Sequence, residues 1–384
     1  MSNPKTANVV IIGGGISGVA IAWNLAKKGV KDIVILEKKT VCSGATGRCG
    51  AGIRMQWGAE QNCLLAKMSV EFFENANEIL EYDRDVEFDQ GGYLIVAGNE
   101  KENEQFKKNI ALQNSLGIPS KHLTPQEAKE IVPHMDETQI VGATFCQKDG
   151  HLNPFNTTEA FAKAAERLGV KILKKTKVTG IDVKNDKIVG VETTGGYIST
   201  PLVINAAGGW AQEVGKMAGV DLPLYSERHQ ILVTEPVELI QDPMYMAFSL
   251  NIYIQQTPHG SFIMGRSNPE EPRDLRQTSS WQFLHEMINT CTTLLPPLRK
   301  LNLVRQWAGL YNMTEDAQPI YGKVDNVEGF WLACGYSGHG FMLAPATGIL
   351  LTEMILGEPL SIDITNLDLG RFERGELCFE TSVV

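Results

Sequence analysis

Residues 9–12 are apolar at consecutive rather than alternating positions, the pattern of a short parallel strand buried on both faces. Gly13, Gly14, Gly15 and Gly18 follow at once, and apolar residues then recur at helical spacing through Ala22, Leu25 and Ala26 to Gly29. A second apolar strand over 32–36 ends in Glu37. The order strand, glycines, helix, strand, acid is the signature of a dinucleotide site. Gly13 permits the tight turn, Gly15 lets backbone approach a pyrophosphate and Gly18 allows close helix–strand packing. Free N–H groups at the helix start, around Ile16 and Ser17, face the phosphates, and Glu37 is placed to accept ribose hydroxyls.

Further along, the pattern changes to a meander over 177–207, ending in the apolar strand 202–207 and then Gly208 and Gly209. Alternating runs at 230–234, 252–254 and 261–264 predict strands, and 279–295 predicts one amphipathic helix ended by Pro296 and Pro297. A strand over 330–334 runs into the glycine-rich turn 335–340, followed by helical spacing over 344–356. That turn introduces a second helix start suited to the anionic reduced form of a redox ring. No second glycine fingerprint opens another βαβ unit, which disfavours a nicotinamide domain.

Composition narrows the function classes. The 384 residues allow two or three domains, and 43% apolar with 21% charged residues is an ordinary globular balance. A formal charge of −10 argues against nucleic acid. No stretch approaches the ~20 apolar residues that span a bilayer. The first residues lack the apolar core of a signal peptide, so a cytoplasmic location is expected. Seven cysteines without a C-x-x-C pair support neither a disulfide framework nor a metal or iron–sulfur site, so no metal ligand is expected.

The segments 10–15, 47–54, 305–309, 335–345 and 371–377 carry a resemblance over nearly the whole chain to the D-amino-acid-oxidase-like flavoproteins. The likeness is greatest to the β subunits of dye-linked L-proline dehydrogenase and heterotetrameric sarcosine oxidase. It implies an α/β fold with a β-rich second domain: a discontinuous Rossmann-like FAD-binding domain (1–85, 141–220 and 316–384) and a mixed-sheet substrate domain (86–140 and 221–315). It also implies non-covalent FAD and oxidation of a secondary amine or imino acid, L-proline to its cyclic imine leading. Sarcosine, glycine, hydroxyproline, a D-amino acid or an opine are the alternative substrates. An NAD-dependent dehydrogenase and a silent FAD scaffold are the alternative classes. A second subunit that relays electrons is implied as partner, with FMN at the subunit interface left open. Leu152, not His151, stands where sarcosine oxidase links its FMN, which argues against a covalent link. Ile263 replaces a lysine tied to oxygen reactivity, which favours a dehydrogenase.

An amine oxidation needs a cation for the substrate carboxylate and groups that orient the substrate. Arg48 and Arg54, in the loop that the family runs under the flavin, are expected to touch flavin, carboxylate or a second cofactor. The same loop supplies Ser43, Gly44 and Thr46 to the cofactor, and Lys38 follows Glu37. Val178, Ala207, Gly208 and Trp210 are expected beside the cofactor from the meander and the strand after it. Arg305, Trp307 and Gly309 lie on a strand that the family places beside the ring, and Gly309 stands where a covalent FAD link would need cysteine. From the second glycine turn come Gly335, Gly338, His339, Gly340, Phe341 and Met342. Met342 replaces a carboxylate-binding lysine, which shifts that role towards an arginine. His229 is either a site group or a core histidine, and Tyr253 either lines the substrate cavity or packs as a buried aromatic. With Arg54 and His339 they make up the catalytic candidates.

Overall fold

The protein is described by a computed structural model covering residues 4–268, 270–380 and 382. Its first sheet has six strands. In spatial order they are Ile320–Lys323, Phe330–Cys334, Val203–Asn205, β1 (Val9–Ile12), β2 (Ile33–Leu36) and Lys171–Leu173. All neighbours are parallel except the Ile320–Lys323 edge. The unbroken apolar run in β1 now has its reason. Val9 and Ile11 join a core shared with helix α1 (Ile16–Lys27) and the helices Pro154–Arg167 and Ala344–Leu356. Val10 and Ile12 face the opposite core, with Val178, Ile181, Val191, Ile198 and Val214. Both faces are covered, so neither admits polar side chains.

The second sheet has eight strands, in the order Leu303–Thr314, Leu224–Pro236, Ser261–Arg266, Ile252–Gln256, Met244–Ala247, Tyr93–Ala97, Gly142–Cys146 and Lys121–Leu123. It is mixed, with Met244–Ala247 parallel to Tyr93–Ala97. Helix Trp281–Leu294 packs Phe283, Met287, Cys291 and Leu294 on one face of this sheet, and Ser280 caps its start by accepting Phe283 N–H at 3.2 Å. The other face carries Tyr93, Ile95, Ile231, Met244, Met246 and Tyr253. An α/β sheet beside a β-rich, mixed sheet agrees with the expected fold class.

One boundary differs. The limit expected at 141 assigns Gly142–Cys146 to the cofactor-binding part, yet this strand pairs with Tyr93–Ala97 over five residues inside the eight-stranded sheet. A local run of five residues does not reveal which sheet edge it will join. The expected limits also include residues 1–3, 381, 383 and 384, and the signal-peptide reading rests partly on 1–3; these lie outside the described residues. Among the described residues all seven cysteines are unbridged, no cluster of three metal-ligating side chains occurs and no helix is long and apolar enough to cross a membrane.

Candidate active site

The β1–α1 turn is built by close backbone approach. Gly13 has φ +119°, and a Cβ there would lie 2.3 Å from Ala206 O. A Cβ at Gly18 would lie 2.1 Å from Gly13 O, so the helix sits against the turn that precedes it. The Ile16 N–H, expected to be free, donates to Thr46 Oγ1 at 3.2 Å; no acidic residue lies in the first turn of α1, which leaves its positive dipole end facing the cavity without a carboxylate of its own. Glu37, at the end of β2, accepts Gly14 N–H at 2.9 Å and Lys39 N–H at 2.7 Å. Its carboxylate thus braces the glycine turn and lines the cavity at once.

That cavity measures about 600 Å³. It is lined by Gly13, Gly15, Ile16, Ser17, Glu37, Lys38, Ser43, Gly44, Thr46 and Arg48 from the first part of the chain. Val178, Ala207, Gly208, Trp210, His229, Tyr253, Gly309, Gly338, Gly340 and Phe341 complete it from the rest. The Lys38 ammonium sits 2.9 Å above the Trp210 ring centre, and burial pulls its pKa down to about 8 although Glu37 opposes this. Arg48 fastens its loop to strand Leu303–Thr314. Its Nη1 donates to Ala308 O at 3.1 Å, and its carbonyl accepts Trp307 Nε1–H at 3.0 Å. A Cβ at Gly309 would stand 3.3 Å from the Arg48 Cβ, so the strand passes close beneath the Arg48 loop here.

A second, smaller chamber of about 70 Å³ adjoins the first, sharing Cys49, Tyr253, Tyr311, Gly338 and Phe341 with it. Gly50, Ala51, Gly52, Arg54, Trp57, Tyr93, Met244, Met246, His339 and Met342 form the rest of its wall. Arg54 lies flat on Trp57, its guanidinium carbon 3.7 Å from the ring centre. Its Nη1 donates to Gln56 O at 2.8 Å and its Nη2 to Ser382 O, while Nε has no protein partner. It is the one cation lining this chamber among the described residues.

The other titratable groups here are held neutral. His229 stacks on Tyr311 at 4.3 Å and on Tyr253 at 5.7 Å, with Nδ1 3.1 Å from Ser267 Oγ. Burial drops its pKa to about 3. His339 packs edge-on to Trp57 at 5.1 Å; burial, and next Arg54, bring it to about 3 as well. Burial raises the phenols of Tyr93, Tyr253 and Tyr311, which therefore keep their protons. Both ring nitrogens of His339, Nε2 of His229 and the Tyr336 hydroxyl are buried without protein partners, groups that a bound molecule would satisfy.

Most of the residues singled out from the sequence line one of the two cavities. Four do not line either, and Gly18 is one of them, packed against Gly13 O behind the turn. Arg305 is exposed: it shares a face with Trp307, Gly309 and Tyr311 but lies at the solvent end of its strand, beyond the cavity wall. Trp307 braces Arg48 from outside the lining. Gly335 shapes the second glycine turn by donating to Asn312 Oδ1 at 2.7 Å. Tyr311, Trp57, Tyr93, Met244 and Tyr336 were not anticipated. Tyr311 was readable, since period two continues the face of Trp307 and Gly309. Tyr93 and Met244 reach the chamber only through the pairing of two distant strands, which no local pattern encodes.

Comparison with known proteins agrees with this geometry. A family model described as "FAD dependent oxidoreductase" matches residues 8–354. The mitochondrial sarcosine dehydrogenase of Mus musculus is 31% identical over 96% of this chain and 42% of that protein, so this chain spans less than half of that relative. Sarcosine oxidase subunit beta of Rhodobacter capsulatus is 27% identical over 98% of this chain and 91% of its own length. The crystal structure of L-proline dehydrogenase from P. horikoshii superposes with a TM-score of 0.93 and 38% identity, covering 98% of this chain and 100% of that one.

Proposed function

This chain belongs to the FAD-dependent oxidoreductase family, and from that premise we propose that it oxidises a secondary amine or imino acid, with L-proline going to its cyclic imine. The observation that carries this reading is the small aromatic chamber with Arg54 as its cation, opening onto the long cavity whose glycine turn, helix start and Glu37 suit FAD. FAD, when bound, supplies the acceptor for two electrons and the departing hydrogen.

The chain's own part is to bind and orient. Arg54 takes the substrate carboxylate, because a guanidinium offers two parallel N–H groups to two oxygens. Tyr93, Tyr253, Met244 and Met246 enclose the carbon skeleton. A substrate nitrogen in this dry chamber, near Arg54 and without a carboxylate beside it, is held in its neutral form. Neutral His229 and His339 add no charge that would favour protonation. The L-proline dehydrogenase superposition, the nearly complete coverage on both sides and Ile263 in place of a lysine support a dehydrogenase acting on proline. Sarcosine is the second reading, favoured by the named relatives.

We also assign the chain as the catalytic subunit of a hetero-oligomer, a reading that the sarcosine oxidase beta subunits support. In the domain division we keep the limits given above, with Gly142–Cys146 counted in the substrate part. His151 and Leu152 are both buried, and Leu152 packs in the core, which does not fit an FMN link at either residue. The test is anaerobic. The purified yellow protein bleaches on addition of L-proline, faster than with sarcosine, glycine or a D-amino acid. Bleaching by none of these would overturn the amine reading, and bleaching by sarcosine alone would replace proline.

A further inference from the structure

The Arg54 side chain is only as well aimed as the turn that carries it, residues 54–57, whose internal bonds (Arg54 Nη1 to Gln56 O, Trp57 N–H to Met55 O and Trp57 Nε1–H to Arg54 O) set its shape but do not fix its place against the sheet. Instead it hangs on two buried side chains. Asp149, fully buried, accepts Met55 N–H on Oδ1 at 2.8 Å and Gln56 Nε2–H on Oδ2 at 2.9 Å. Gln56 is buried too, and every hydrogen-bonding group of its amide is used: Nε2 also donates to Tyr93 O at 3.1 Å, and Oε1 accepts Thr144 Oγ1–H at 2.7 Å. Tyr93 and Thr144 lie on adjacent, paired strands of the eight-stranded sheet. The network therefore ties the arginine turn to the same sheet that supplies Tyr93 and Met244 to the chamber wall.

We propose that Asp149 and Gln56 are positioning residues for substrate binding, registering Arg54 against the aromatic wall so that carboxylate and reacting carbon are held at a set spacing. This deepens the amine-oxidation reading and rests on Arg54 being the carboxylate receptor. The network admits no local repair. If Asn replaced Asp149, its Nδ2 would oppose either Met55 N–H or Gln56 Nε2–H. Rotating the Gln56 amide to meet it would turn Oε1 towards the Tyr93 carbonyl and Nε2 towards Thr144. Neither residue touches the space a substrate would fill, since neither lines the chamber. Their influence runs through Arg54.

The experiment uses the FAD-loaded protein with L-proline as substrate and tetrahydro-2-furoate, proline with its ring nitrogen replaced by oxygen, as an unreactive ligand read from the flavin spectrum. D149N is expected to raise KM for L-proline and Kd for tetrahydro-2-furoate together, roughly tenfold, the equivalent of about 1.4 kcal/mol. Its kcat should change far less, with FAD content retained. In an R54M background D149N should add nothing, because the group it positions is gone. T144V, which removes only the outermost bond of the network, should raise KM about threefold and decides the matter if D149N does not fold. Unchanged KM and Kd in T144V, or in folded D149N, would overturn the proposal, as would full additivity of D149N with R54M. Failure of R54M itself to weaken tetrahydro-2-furoate would instead overturn the role of Arg54 on which it rests.

Discussion

At the scale of single residues, the proposed function gives Arg54 to the substrate and Glu37 to the cofactor. Replacing Arg54 by Met keeps bulk on Trp57 but removes the charge-assisted bonds, and a carboxylate substrate should lose about 3 kcal/mol of binding, a KM rise near a hundredfold. Steady-state kinetics with L-proline against pyrrolidine, which lacks the carboxylate, checks this: the pyrrolidine rate should be unaffected. Glu37→Gln should weaken FAD by about tenfold in Kd, since the neutral amide accepts more weakly and has to offer one donor to a site of donors. Equilibrium dialysis of the stripped protein measures it. The legibility of individual residues followed their distance in sequence from a motif. Glu37 could be named because it closes a contiguous unit of thirty residues. Asp149 could not, because its importance lies in Met55 and Gln56, more than ninety positions away. Arg305 was placed too deep by four residues of strand, since Gly309 is the first on that face to line the cavity, an error of depth along the correct face.

At the scale of elements, β1, α1 and β2 were fully legible, because a doubly buried strand, a glycine turn and a helix of apolar residues stand next to one another in a fixed order. The turn between β1 and α1 tolerates no side chain. Gly13→Ala meets both an unfavourable φ and the Ala206 carbonyl, so a loss of about 1–3 kcal/mol in stability is expected together with loss of bound FAD. Denaturant unfolding and the flavin absorbance of the purified variant report the two effects separately. The helix Trp281–Leu294 was likewise readable, as 279–295, from its apolar spacing and the prolines that end it, while its Ser280 cap emerged only in the structure. The eight-stranded sheet was not. Its strands come from five separated stretches of chain, and only pairing decides that Gly142–Cys146 lies beside Tyr93–Ala97.

At the scale of the whole molecule, long-range ties decide stability. Arg371 and Asp316, both fully buried, form two parallel bonds of 2.9 and 3.0 Å, and Arg371 also donates to Gln318 O, Leu367 O and Asp368 O. Arg371→Ala leaves Asp316 charged and buried without its partner, a loss of about 3–5 kcal/mol that a thermal or urea melt would register. The pH response has a definite sign. His229 and His339 titrate near 6.5 when unfolded and about 3 when folded, so their contribution is complete above pH 6.5 and is lost as pH falls towards 3. Asp149, raised by burial from 3.8 to about 7, runs the opposite way, favouring the fold at low pH and losing that contribution as pH rises through 7. Between pH 4.5 and 6 the two histidines outweigh the one carboxyl. His339→Gln should therefore lower the slope of unfolding free energy against pH by about 1.4 kcal/mol per unit, measured by denaturant titration at several pH values. A further consequence follows from Glu380 and Ser382. The Glu380 carboxylate accepts the N–H groups of Gly58 and Ala59 at the start of helix Glu60–Phe73, and the Ser382 carbonyl holds Arg54. Both are synthesised more than three hundred residues after the groups they hold. A chain still emerging from the ribosome can form β1, α1 and the glycine turn, and so begin to shelter a nucleotide. It cannot fix Arg54, to which the proposed function gives the substrate carboxylate, until translation has passed residue 382.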